Sequence, residues 1–129
     1  MKKLTTTPLE STRACFVAND SHPHHRVALS GYQSFTGTTN CYPHQHMLEC
    51  LVLGLCSEAG EVAGKIKKLH RGDGVSETVI LDEVGDCLWY ISELCTHFNV
   101  TLDDLMVLNQ RKLTNRVRKG TIKGCGDER

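Results

Sequence analysis

The sequence has no charge of either sign to spare. Lys plus Arg and Asp plus Glu each number 15, giving a formal net charge of zero. That balance excludes a protein whose main work is gripping polymeric nucleic acid through its phosphates. A local cluster of Lys and Arg still suffices for a small phosphorylated ligand. No apolar stretch reaches the roughly 18 to 20 residues that a membrane span needs, so no membrane partner is expected. Met1-Lys2-Lys3 is followed by Leu4-Thr5-Thr6-Thr7 rather than by the apolar run of a secretory signal. The seven cysteines are odd in number and contain no C-x-x-C pair, which argues against both a disulfide framework and a structural zinc site. Four of them (Cys50, Cys56, Cys87 and Cys95) fall in helix-like segments, where small buried thiols are ordinary. A reduced, cytoplasmic chain is expected. No segment alternates strictly enough between apolar and polar residues to be a strand, so the fold class is all-α.

At 129 residues the chain is one domain, and one short enough to gain from pairing with copies of itself. Residues 1–25 are polar and lack periodicity; with His22-Pro23-His24-His25 they read as a flexible N-terminal arm. The domain occupies residues 26–129. A short helix is expected over residues 27–36, with Leu29, Tyr32 and Phe35 at helical spacing, and a loop over 37–43. Over residues 46–69, Leu48, Leu51, Val52, Leu55, Ala59, Val62, Ile66 and Leu69 follow the pattern of an amphipathic helix. Arg71-Gly72-Asp73-Gly74 ends it as a turn. A second long helix covers 76–97, with Ile80, Val84, Cys87, Ile91 and Leu94 on one face, and Asn99-Val100 breaks it. Thr101, with Asp104 as its capping-box partner, starts a third that continues to about residue 118.

At about 100° per residue, the chemistry of these helices becomes visible. With Glu58 at zero, Glu61 falls at roughly −60°, Lys65 at roughly −20° and Lys68 at roughly −80°, beside an apolar arc near roughly +60°. On the next helix, with Glu83 at zero, Asp86 falls at roughly −60° and Tyr90 at roughly −20°, with the apolar arc near roughly +70°. Each helix thus carries an acid pair spaced i, i+3 at the edge of the face it buries. Like charges so placed destabilise a helix and are costly to desolvate unless a cation sits between them. An all-carboxylate set selects a hard cation, Mg²⁺ or Mn²⁺, over zinc. The plain alternative is solvated helix surface, with Glu61 pairing to Lys65. A ferritin-like di-iron site would need Glu-x-x-His; neither Glu58 nor Glu83 has it, and Glu93 and His97 stand four apart. On the last helix Asn109, Lys112 and Arg116 share about 60° of arc. A metal site and a cationic stripe together point to a polyphosphate ligand.

Glu58-x-x-Glu61 followed by Glu83-x-x-Asp86 resembles the signature of the MazG-like members of the all-α nucleoside triphosphate pyrophosphohydrolase superfamily. LVLGLCSEAGEVAGKIKKL at residues 51–69, LDEVGDCLWYISEL at 81–94, and the ending with Asn109, Lys112-Leu113, Arg116, Gly120 and Gly124-x-Gly126-Asp127 resemble its small phage and bacterial members. The resemblance covers about residues 32–129. It implies a bundle of four or five helices, association into dimers or tetramers, and active sites bordered by more than one subunit. It also implies hydrolysis of (deoxy)nucleoside triphosphates to monophosphate and pyrophosphate, with Glu58, Glu61, Glu83 and Asp86 as Mg²⁺ ligands. Lys65, Lys68, Lys112 and Arg116 would neutralise phosphates, and Tyr90 and Asn109 would touch sugar or base. Ser57 stands where many members carry a further glutamate, which leaves Glu58 as the general base. Two alternatives stay open: phosphoribosyl-ATP as substrate, and a helical module that binds nucleotide without turnover. Leu53 and Trp89 lie off the main apolar arcs, and both are expected near contacts in a symmetric homo-oligomer.

Overall fold

The computed structural model of the protein describes residues 27–123. The arm at 1–25 with its histidines, and Gly124-x-Gly126-Asp127, lie outside the described residues. Among the described residues there are four α-helices: α1 (Leu29–Thr39), α2 (Met47–Arg71), α3 (Glu77–His97) and α4 (Leu102–Arg118), with a 3₁₀ turn at His44–His46 before α2. There is no strand among the described residues. The all-α expectation holds, and the three long helices begin and end within two residues of where periodicity and caps put them.

Each of those ends has a local cause. Gly72 closes α2 with φ 82°; its N–H and that of Asp73 return to Leu69 and Lys68 carbonyls. Asn99 (φ 58°) and Gly120 (φ 67°) do the same after α3 and α4. These are left-handed terminators that satisfy the orphan carbonyls of the last turn. Ser76 caps α3, and Thr101 with Asp104 forms a complete capping box at α4. The Thr101 hydrogen bonds hold the Asp104 carboxyl below its ordinary pKa. Its contribution to stability is therefore present at neutral pH and is lost as pH falls through the lowered value.

α1 differs from expectation. It runs on to Thr39, through Gly37, where a loop was expected. The hydroxyls of Ser34, Thr36, Thr38 and Thr39 each donate to a carbonyl three or four residues back. A run rich in Ser and Thr thereby meets its polar needs inside a helix instead of leaving it.

α2 and α3 pack as an antiparallel hairpin, and α1 lies against α3 and α4. The buried apolar core is small: Leu51, Cys95 and Leu102 among the described residues. Polar contacts fill the seam between α1 and α3. Thr36 and Ser92, both fully buried, share a 2.8 Å hydroxyl–hydroxyl bond. Gln33 donates to the Val100 carbonyl (2.9 Å) and to Thr96 Oγ1, and accepts from the Leu102 N–H (2.9 Å). One side chain thus ties α1 to the end of α3 and the start of α4. Large apolar side chains stay outside, among them Leu53 at 69% exposure and, on α4, Met106, Leu108 and Val117 at 56%, 58% and 63%. Trp89 is half-buried, its Nε1 donating to Thr39 Oγ1 at the end of α1 at 2.7 Å. No described helix is long and apolar enough to cross a membrane.

Candidate active site

The acid stripes meet across the α2–α3 hairpin. Carboxylate oxygens of Glu58, Glu83 and Asp86 all lie within 4.8 Å of one another. Glu61, one turn along α2 and exposed, stands outside that trio but is still close enough to act on the Glu58 carboxyl. Lys65 Nζ reaches Glu83 Oε1 at 3.2 Å, bringing one cation to the edge of the cluster. Lys68 is exposed further along α2.

The electrostatics fit crowded acids. The Glu58 carboxyl is pushed above its ordinary value of 4.5, first by desolvation and then by Glu61, Asp86 and Glu83. The Cys87 thiol is raised by burial and by Glu58 and Asp86. Each additional negative charge is resisted at this spot, and the all-carboxylate set is one a hard cation could bind.

Above the acids lies a cavity of about 450 Å³, lined by Thr39, Cys41, Tyr42, Glu58, Asp86, Trp89 and Tyr90. Its apolar wall is an aromatic cluster. Trp89 and Tyr90 meet edge to face at 4.9 Å between centroids, and Tyr42 stacks on Tyr90 at 6.5 Å and meets Trp89 at 6.3 Å. The Tyr42 and Tyr90 hydroxyls hydrogen-bond at 2.8 Å. That bond, with burial, raises the Tyr90 pKa to about 12, so the phenol stays neutral at working pH. One end of the cavity therefore offers oxygen ligands and the other flat π surfaces.

Two features of this cavity escape motif reading. Thr39 ends α1, and Cys41 and Tyr42 come from the loop after it, which has no periodicity. Gly54 is required by packing: a Cβ there would overlap the Tyr90 ring and hydroxyl. A glycine one turn before Glu58, in the interior of a long helix, is the only sequence trace of that contact. The α4 residues are placed elsewhere. Asn109 and Lys112 line a different cavity, about 390 Å³, with Leu105, Met106 and Leu108, and Arg116 is buried. Within one chain, then, Glu58, Asp86 and Tyr90 share the cavity, Glu83 and Lys65 adjoin it, and the α4 trio does not.

Residues 46–121 match the family described as the MazG nucleotide pyrophosphohydrolase domain. A protein of Mycobacterium phage L5 described as Gene 37 protein is 34% identical over 110 residues, covering 81% of this chain and 96% of its own length. No solved structure matches. The matched stretch holds every acid of the cluster together with Gly54, Trp89 and Tyr90, and on that match the chain belongs to the MazG nucleotide pyrophosphohydrolase family.

Proposed function

We propose that the protein hydrolyses (deoxy)nucleoside triphosphates to the monophosphate and pyrophosphate in a Mg²⁺-dependent reaction. The observation that carries this reading is the junction of a carboxylate trio with an aromatic-walled cavity, the two ends of a metal-bound nucleotide. Water adds to the α-phosphorus, the bond from that phosphorus to the α,β-bridging oxygen breaks, and pyrophosphate leaves with the electron pair. Glu58, Glu83 and Asp86 would hold the cation, with Glu61 as the fourth acid of the set. Their all-oxygen donor set fits Mg²⁺ or Mn²⁺. When bound, the ion neutralises phosphate oxygens and makes water more acidic. Glu58, whose carboxyl already favours its proton, is the residue suited to accept the proton of the attacking water. Tyr42, Trp89 and Tyr90 stack the base. Incubation with each common NTP and dNTP plus Mg²⁺ should release pyrophosphate; orthophosphate alone, or no product, overturns the reading.

Metal binding should have a definite pH sign. A raised folded-state pKa means that Glu58 favours the metal-free fold when protonated, and that this contribution fades as pH rises through the raised value. Cation binding needs the ionised form. The Mg²⁺-induced rise in Tm should therefore grow as pH rises through the raised Glu58 value, toward the ~2.7 kcal/mol expected at a hundredfold excess over Kd. A Tm increment that is zero at millimolar Mg²⁺, or that shrinks with rising pH, contradicts the site.

The protein works as a symmetric homo-oligomer, a dimer or tetramer. The small buried core, exposed Leu53 and the apolar α4 face support this, since surfaces of that kind mark interfaces. In such an assembly Asn109, Lys112 and Arg116 of α4 join Lys65 and Lys68 around the triphosphate. Light scattering at micromolar concentration should report more than one chain per particle; a monomer contradicts the assembly.

A further inference from the structure

Glu93 is 3% exposed, and its Oε1 is buried without a hydrogen-bond partner among the described residues. A carboxyl group so placed is expensive, and an apolar residue of similar size would serve the core better. Its other oxygen has a specific partner: Oε2 accepts from Asn40 Nδ2 at 2.6 Å. Asn40 in turn accepts the Tyr42 backbone N–H on Oδ1 at 3.0 Å and touches Met47 Sδ at 3.3 Å. Tyr42 then closes on Tyr90 through the hydroxyl pair and ring stack. A continuous chain of bonds runs from a buried carboxyl on α3 to the aromatic wall of the active-site cavity. On the other side of the loop lies a second cavity, about 260 Å³, bordered by Asn40, His44, Met47, Glu93, Thr96 and His97. The loop runs between the two cavities, held by the Asn40 hydrogen bonds together with the Tyr42 ring contacts.

We propose that Glu93, acting through Asn40, is a positioning residue that sets Tyr42 against Tyr90 and Trp89 and so determines how tightly the nucleotide's base is held. This rests on the base occupying the aromatic cavity, as in the proposed function. Removing the anchor lets the loop relax into the second cavity and opens the wall, while the acids below are untouched. Affinity for the base falls and the chemical step does not.

Trp89 is the only tryptophan in the chain, so its fluorescence reports the loop directly, with no nucleotide present. Asn40→Ala and Glu93→Leu should shift Trp89 emission to the red and raise KM for the best substrate about tenfold, the scale of a lost base–aromatic stack. Their kcat should stay within about twofold, and the Tm of Glu93→Leu should not fall, because an unpartnered buried oxygen is removed with the anchor. Glu93→Gln keeps an acceptor for Asn40 and should restore both emission and KM. The two damaging changes should be non-additive in the double variant. Unchanged emission and KM in Asn40→Ala and Glu93→Leu overturn the proposal, as does a fall in kcat with KM held, or a Gln variant as impaired as Leu. If Glu93→Leu does not fold, Asn40→Ala decides on the same readouts. A protein that hydrolyses nothing but shows the emission shifts refutes the proposed function and leaves the anchor standing; turnover without the shifts does the reverse.

Discussion

Asp86→Asn is expected to lower turnover by at least about 10³-fold while leaving the helical fold intact. The trio offers one carboxylate oxygen from each of Glu58, Glu83 and Asp86 within 4.8 Å, and Asn keeps the shape of Asp86 but not its charge. Charge stabilisation by a bound cation is worth several kcal/mol, and each ~1.4 kcal/mol is tenfold in rate. Without metal the variant should melt no lower than the wild type, because Asp86 is one of the charges resisting ionisation of Glu58. Cys87→Ser, on the neighbouring half-buried position, is the contrast: it should cost stability and spare turnover. Circular dichroism melts beside steady-state rates separate the two. An Asp86→Asn protein that loses stability but turns over normally would make the acids structural.

The second large effect belongs to Gly54→Ala. In an ordinary helix interior this change stabilises by about 0.5–1 kcal/mol. Here the new methyl meets the Tyr90 ring, which is pinned by Trp89 and by the Tyr42 hydroxyl. Overpacking of that kind costs roughly 1–3 kcal/mol, so the helical gain is cancelled or reversed. More important, Tyr90 must leave the cavity wall. Loss of one stacking platform, ~1–3 kcal/mol per base, predicts a KM raised roughly 10- to 100-fold. Gly64, on the same helix, has open space around its Cβ position; Gly64→Ala should raise Tm and leave KM alone. Equal behaviour of the two alanine variants in a nucleotide titration would show that the Gly54–Tyr90 contact does not shape the site.

How much of this was legible in the sequence depends on the range of the interaction concerned. The helix ends were legible because Gly72, Asn99 and the Thr101–Asp104 box act within a few residues. The meeting of Glu58, Glu83 and Asp86 was legible because helical geometry fixes angular offsets and a short turn forces α2 and α3 antiparallel. α1 was misjudged at Gly37 because hydroxyl back-bonding, not glycine, governs that segment. The aromatic wall was not legible. It depends on a loop whose course is set by Asn40 and Glu93, residues 53 positions apart, and no periodicity encodes such a contact. Glu93 drew notice only for its spacing to His97, and Trp89 only as a residue off the main apolar arc expected near a subunit contact; in the fold Glu93 bonds Asn40 and Trp89 lines the cavity. Asn109 and Lys112 line a separate cavity and Arg116 is buried, so within one chain the shared arc of the three does not bring them to the acids.

The central claim, hydrolysis by attack of water at the α-phosphorus, is tested most directly by isotope. The reaction should be run with Mg²⁺ and the best nucleoside triphosphate in ¹⁸O-enriched water, and the products weighed by mass spectrometry. One ¹⁸O should appear in the monophosphate, and pyrophosphate should leave unlabelled. Label in pyrophosphate instead, or the appearance of diphosphate with labelled orthophosphate, would contradict the account.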